Sequence, residues 1–336
     1  MKAYQVVTDE GIDAVRFLDL PEPKPEPGQV MLKVHANSLN YRDHFIVKGG
    51  YPRNDKRPLI PLSDGAGEVV EIGEGVSRFK PGDRVAAIFF QEWISGDPTE
   101  AGLKSALGGG YDGMLAEYVV LNENGLVSIP VGMEYTEAAT LPCAAVTAWQ
   151  ALVTLGNLKA GDTVLLQGTG GVSIFALQFA KIHGARVIIT SISDEKLERA
   201  RTIGADFTIN YKQFPEWEKE VLRLTDGKGV DHVIEVGGPG TLDKSMLCTK
   251  INGTVSLIGV LTGFQGSVST ALAILNQLRL QGIDVGSRDM FEAMNRAIEA
   301  NQLGPVIDRS FDFEEALDGY RYFQSAKHFG KVVITH

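Results

Sequence analysis

The sequence predicts an α/β chain in which a β-rich unit, made from both chain ends, is interrupted by a parallel sheet covered by helices. Three observations carry that expectation. Short strand-like runs with Gly and Pro turns fill the first third, as at 31–36, 65–70 and 81–85. From about residue 122, apolar strand-like runs alternate with helical patterns, which is the signature of a parallel sheet with both faces buried. The chain then closes on another strand-like run, 331–335, which suits a first domain completed by its own C-terminus. At 336 residues, two domains are expected. We place them at 1–122 with 290–336, and at 123–289.

The elements follow in order. PEPKPEPGQV, residues 21–30, is extended, proline-dense punctuation before a strand at 31–36. Turns follow at Gly65–Ala66–Gly67 and Pro81–Gly82–Asp83. The glycine-rich stretch 91–113 exceeds the usual connection, which points to a functional lid or wall. Strands are then expected at 163–167, 186–190, 207–210, 232–236 and 254–258. An amphipathic helix at 271–280 runs into a β-like stretch at 278–285, with their boundary left open. Helices at 290–300 and 313–325 precede the closing strand. No internal repeat is present.

Composition narrows the partners. The net charge is −10 and no dense basic run exists, which argues against nucleic acid or an anionic membrane. No apolar stretch is long and charge-free enough to span a bilayer. The start, MKAYQVVTDEG, lacks the charged leader and apolar core of a secretion signal. Two cysteines, Cys143 and Cys248, sit far apart in unrelated contexts, so a reduced, cytoplasmic chain is expected.

The most informative stretch is 165–191. An apolar run enters a turn at Gly168, Gly170 and Gly171, a strongly apolar helix leaves it, and a β-branched run follows. Glycines so placed let backbone approach a pyrophosphate at a helix N-terminus. The plain alternative is a tight turn, and Ser173 in the third glycine's place makes the motif imperfect. Where an NAD-binding chain puts Asp or Glu, this one has Thr190, Ser191, Ile192 and Ser193. A ribose 2′-phosphate would meet no carboxylate there, so NADPH is the expected cofactor. Ser193 reads as an N-cap, with Asp194 and Glu195 in the first turn. Lys196 is misplaced for that helix dipole but well placed for a phosphate; its plain alternative is a solvated lysine. Tyr211, after the third strand, could flank the adenosine.

With the GDRV turn at 82–85, LPCAAVTAWQAL at 141–152, the glycine turn and the closing FGKVVI at 329–334, the chain resembles the medium-chain dehydrogenases/reductases. It is most similar to their zinc-independent, quinone-oxidoreductase-like members. That resemblance implies a GroES-like catalytic domain, a Rossmann domain, and a homodimer formed through the last Rossmann strand. It also implies cofactor contacts from Thr147 and Val172, from Val236, Ile258 and Gly259, and from Phe329 and Lys331. Zinc-dependent relatives bind catalytic metal through a Cys, a His-Glu pair and a second Cys or Asp. The corresponding places here are Asn40, Ser63–Asp64 and Cys143, and the four-cysteine structural lobe is missing. No metal is expected, because one soft ligand does not hold Zn²⁺.

Without a metal, oxidising an alcohol of pKa about 16 is difficult. Reducing a conjugated carbonyl or a quinone needs only oxyanion donors and a proton source. The loop 38–52 supplies candidates. Asn40 matches the family position facing nicotinamide and substrate. Tyr51, in a G-x-Y-P setting, is similar to the proposed proton donor of enoyl-thioester reductases, or is a turn anchor. Tyr41 is a second phenol, and Arg42 with Asp43 could bridge one another. Trp93 either walls the substrate pocket or stabilises its loop. The expected activity is NADPH-dependent reduction of quinones or α,β-unsaturated carbonyls. A metal-free alcohol or aldehyde dehydrogenase, and an NADPH-binding structural or regulatory protein, are the alternatives.

Overall fold

The computed structural model describes residues 1–50 and 58–336. The chain divides into two compact units, residues 1–146 with 285–336 and residues 147–284. We call them the split unit and the inserted unit.

The split unit opens with an antiparallel hairpin, β1 (Lys2–Val6) and β2 (Val15–Asp19). Its main strands are β3 (Gln29–Ser38), β4 (Asp64–Ile72), β5 (Arg84–Ala87), β6 (Tyr118–Asn122) and β7 (Leu126–Ser128). Short helices α1 (Tyr41–Ile46), α2 (Glu100–Lys104) and α3 (Tyr135–Ala138) lie between and after them. A helical stretch then crosses the boundary: α4 (Val146–Trp149) is flanked by wider π turns at Leu141–Ala145 and Gln150–Thr154. The division falls at 146/147, later than the expected 122/123; the pairing of β7 with β5 keeps residues 126–128 in the first sheet.

The inserted unit holds β8 (Thr163–Gln167), β9 (Arg186–Ser191), β10 (Phe207–Asn210), β11 (Val230–Glu235), β12 (Thr249–Leu257) and β13 (Arg279–Gly282). Helices α5 (Gly171–Ile182), α6 (Asp194–Thr202), α7 (Trp217–Leu224), α8 (Pro239–Leu247) and α9 (Thr270–Leu275) connect them. All pairings are parallel, in the order β10-β9-β8-β11-β12-β13. Leu165, Ile188, Ile209, Val233 and Val255 are buried in one core. Each such side chain contributes about 1.5–3 kcal/mol. The helix expected at 271–280 stops at Leu275, since Gln277 turns left-handed, and residues 279–282 pair with β12 instead.

The C-terminal segment returns to the split unit with α10 (Arg288–Asn301), β14 (Ile307–Asp312), α11 (Ala316–Gln324) and β15 (Lys331–Thr335). The sheet runs β14-β15-β3-β4-β5-β7, with β6 also on β3. β15 pairs antiparallel with β3, Val333 opposite Ser38, so the two chain ends share one sheet. That register sets Lys331 against the residues following β3.

Candidate functional site

In the inserted unit, β8 leads straight into the glycine turn. Gly168 has φ +70, and a Cβ on Gly168 or Gly170 would point into open space. α5 starts at Gly171 with Gly170 as N-cap, so no capping side chain covers the helix start. A bare backbone surface leading to an open helix N-terminus fits a pyrophosphate. The buried Ser173 hydroxyl donates to the Gln167 carbonyl at 2.7 Å, so this serine stitches helix to strand where a third glycine would merely allow close packing.

Strand order reverses between β8 and β11, and α/β sheets bind ligands outside the carboxyl ends at that point. Val172 lies in the first turn of α5. Val236 follows β11, and Ile258 and Gly259 follow β12, their N–H groups donating to the Glu235 carbonyl at 2.9 and 3.2 Å. Thr147 is buried on α4. The sequence reading missed Gln167 and Glu235. The fully buried Glu235 carboxyl accepts from Gln167 Nε2 at 2.7 Å, Thr241 Oγ1 at 2.6 Å, the Gly237 and Gly238 N–H groups at 2.8 and 3.0 Å, and the Ser245 hydroxyl. Gln167 Oε1 in turn accepts from Val236 and Gly237 N–H at 3.2 and 3.1 Å. A polar residue ending each of two apolar strands, VLLQ and HVIE, was the available signal.

At the other end of this edge, the Tyr211 N–H donates to the Ser191 carbonyl at 3.1 Å, which brings the two residues side by side. The Tyr211 ring is 41% exposed, and partial burial pushes its phenol above the ordinary value. Ser193 caps α6, its hydroxyl accepting from the Lys196 N–H at 3.3 Å. Asp194 accepts from Asn210 Nδ2 at 2.7 Å and Gln213 Nε2 at 3.0 Å, so local amides occupy both its oxygens.

The split unit carries a second, buried constellation. Lys331 is 2% exposed, and its ammonium donates to the Leu39 carbonyl at 2.8 Å and Asn40 Oδ1 at 2.6 Å. Asp64 Oδ2 lies 3.7 Å away. Burial raises the Asp64 carboxyl; the Lys331 ammonium, the Asn40 amide, the Ser63 hydroxyl and the Cys143 backbone N–H pull it back. Asp43 accepts from the Asn40 N–H at 2.8 Å and meets Arg42 at 3.4 Å. Burial pushes Asp43 up to about 6 against the pull of Arg42. Arg42 also donates to the carbonyls of Leu107 and Gly108, at 3.0 and 3.5 Å, and lies 4.7 Å from the centre of the Phe89 ring. The glycine-rich stretch is therefore anchored to α1 by a buried guanidinium. Two cations and two carboxyls balance, as buried charges must.

Lys331, expected at the cofactor, here gives its ammonium to the Leu39 carbonyl and Asn40 Oδ1 within the split unit, with Asp64 Oδ2 3.7 Å away. Phe329 is likewise buried. The Trp93 ring is 4% exposed and its indole N–H donates to the Gly96 carbonyl at 2.9 Å, a contact within its own loop. Tyr41 is 42% exposed, edge-on to Phe45 at 5.3 Å, and is not part of the buried cluster. Tyr51 lies outside the described residues.

The donor set can be tested against zinc. Among the described residues, no group of three or more His, Cys, Asp and Glu is placed to hold a metal ion. At the corresponding positions stand an amide, a hydroxyl, one carboxyl and Cys143, whose thiol is pushed well up by burial and then by Asp64. An ammonium already faces that carboxyl and would repel a dication. These residues do not fit zinc.

Comparisons with known proteins place the chain. A family profile described as an alcohol dehydrogenase GroES-like domain matches residues 26–131, and one described as a zinc-binding dehydrogenase matches 171–300. A zinc-type alcohol dehydrogenase-like protein of Schizosaccharomyces pombe is 45% identical over 99% of both chains. An acryloyl-coenzyme A reductase of Metallosphaera sedula is 31% identical over 94% of this chain and 95% of its own. A crystal structure of an NAD-dependent alcohol dehydrogenase superimposes with a TM-score of 0.90 at 34% identity, covering both chains fully. Matched by both domain profiles and similar along its whole length to these proteins, this chain belongs to the medium-chain dehydrogenase/reductase superfamily, the oxidoreductases that include alcohol dehydrogenases and quinone oxidoreductases.

Proposed function

We propose that the chain is an NADPH-dependent reductase of quinones or α,β-unsaturated carbonyls that works without a metal. The observation that carries this reading is the Lys331 ammonium, locked against Asn40 and Asp64 at positions from which relatives would hold zinc. The glycine turn would hold the pyrophosphate of a nicotinamide dinucleotide, which when bound would supply the hydride. The chain's part is then to receive the charge that gathers on the substrate oxygen. Asn40 offers an amide donor, and Tyr51 or Tyr41 a phenolic proton. Preference for NADPH rests on the Ser191 and Ser193 hydroxyls, on Tyr211 and Lys196, and on an Asp194 carboxyl already occupied by amides. The acryloyl-coenzyme A reductase among the relatives is named for reduction of this kind of conjugated carbonyl.

A second reading, an alcohol or aldehyde dehydrogenase, draws on the alcohol dehydrogenase names of several relatives, one of them NAD-dependent. It must remove a hydroxyl proton with no dication to assist. Turnover against a panel of enones, quinones and alcohols, with each coenzyme, separates the two. Enone or quinone reduction with NADPH is expected; alcohol oxidation with NAD alone would overturn the proposal. Tight NADPH binding without turnover would favour a binding protein. In the same assay Lys196→Glu should raise KM for NADPH about tenfold, 1.4 kcal/mol, and barely change that for NADH. Equal shifts would remove Lys196 from the phosphate site.

A cytoplasmic homodimer completes the proposal. The edge strand β13 is exposed throughout, and Ile274 and Leu275 beside it are 73% and 76% exposed, which suits pairing with a second copy. Light scattering at the monomer mass would oppose it.

A further inference from the structure

We infer that Glu235 is the positioning residue that settles which of two glycine turns receives a ligand's phosphate: its carboxylate fills the turn before α8, and the turn before α5 is left for the ligand. The inference deepens the reductase reading above and rests on it for the identity of that ligand, a dinucleotide.

The parallel sheet offers two such turns where its strand order reverses. β8 ends on Gln167 and runs through Gly168, Thr169 and Gly170 into α5; β11 ends on Glu235 and runs through Val236, Gly237 and Gly238 into α8. Both helices start outside the carboxyl ends of adjacent strands, and the positive end of each attracts an anion. The glycines report opposite surroundings. A Cβ on Gly168 or Gly170 would meet nothing within 4 Å. One on Gly237 would lie 2.1 Å from Thr241 Oγ1 and 3.1 Å from Glu235 Oε1, so that turn is already full.

The N–H groups at the start of α8 are accounted for one by one. Gly237 and Gly238 donate to Glu235 Oε1 at 2.8 and 3.0 Å. Pro239 has no N–H, Gly240 donates to Thr262 Oγ1 at 2.9 Å, and Thr241 donates to the Gly238 carbonyl at 3.0 Å. At α5 the N-cap is Gly170, which brings no capping side chain. Gln167, at the place on β8 that matches Glu235 on β11, adds no charge beside that turn. Its amide is turned toward β11 instead, by its bonds to Glu235 Oε2 and to the Val236 and Gly237 N–H groups. Glu235 thus gives α8 from within the negative charge that α5 takes from outside, and a pyrophosphate finds one helix start to bind, not two.

Two variants test this. Glu235→Ala removes the internal anion and leaves a space of its size. Formate, which carries the lost carboxylate, should raise the thermal midpoint of Glu235→Ala by about 2 °C or more and leave that of the parent chain in place. Formamide, of the same shape without the charge, should move neither. Equal responses of Glu235→Ala to the two probes, or no response to formate, would overturn the inference. Glu235→Gln keeps the shape and decides the matter if the alanine variant does not fold. With the charge gone and the positive end of α8 uncancelled, the Kd of inorganic pyrophosphate, by calorimetry at low salt, should fall about threefold, and the gain should fade at high salt. A residue that only braced β8 against β11 would give the opposite sign, because a mismatched amide loosens the strand end that leads into the α5 turn. A Kd that rises or stays put would therefore also overturn the inference. If the chain binds NADPH yet reduces neither enones nor quinones, the reductase reading falls while both measurements still decide the role of Glu235.

Discussion

Asp64 in the split unit and Glu235 in the inserted unit are both acidic side chains with no exposed surface, and the two are held by opposite means. Asp64 leans on an ammonium 3.7 Å away and on the Ser63 hydroxyl at 2.8 Å. Glu235 has no cation among its hydrogen-bond donors; two backbone N–H groups, two hydroxyls and one amide supply them. The difference follows from what each site must do. At the end of a parallel sheet, where the proposed cofactor's phosphates would approach, a carboxyl wrapped in neutral donors ties β8, β11 and α8 together. In the split unit a full charge is retained beside the residues that would face the substrate. One network builds a frame, and the other keeps a cation at hand.

Stability measurements can break this contrast. The largest loss is expected for Lys331→Met, about 3–5 kcal/mol by denaturant unfolding, because a buried charge loses its partner. Adding Asp64→Asn should restore most of that loss. Glu235→Gln should cost less, about 1–3 kcal/mol, since an amide NH₂ then faces donors but no ion is stranded. Equal costs for the two single variants would mean that both carboxyls are held in the same way.

The smallest effect is a pH slope from Asp43. Its folded value, about 6, lies above the ordinary 3.8, so between these pH values the folded chain holds a proton that the unfolded chain has released. Stability contributed by Asp43 therefore falls as pH rises from about 4 to 6. Asp43→Asn should remove that descent. A contribution that rises instead would show Arg42 outweighing burial.

The same contrast explains what the sequence could reveal. The ranges 163–167, 207–210 and 331–335 are strands as expected, because apolar and β-branched runs between glycines specify strands locally. The donors around Glu235 are mostly local too: Gly237, Gly238, Thr241 and Ser245 lie within the next ten residues, so a Glu ending an apolar strand could have pointed to them. Lys331 could not be read this way. Its partners, Leu39, Asn40 and Asp64, come from the far end of the chain, and only the β15–β3 pairing brings them together. The position of Lys331 in FGKVVI points to a cofactor ligand, and nothing local in that motif announces the buried partners that the pairing brings to its ammonium. The pairing of β7 is hidden for a similar reason: its three residues carry too little pattern to show that they join β5.

The most direct measurement is the ratio of kcat/KM for NADPH over NADH with a simple enone, taken on protein assayed for metal. We expect a ratio above about tenfold, more than 1.4 kcal/mol in favour of the phosphorylated coenzyme. We also expect activity unchanged by a chelator. A ratio below one, or zinc bound one per chain and lost together with activity on chelation, would contradict the reading of both sites.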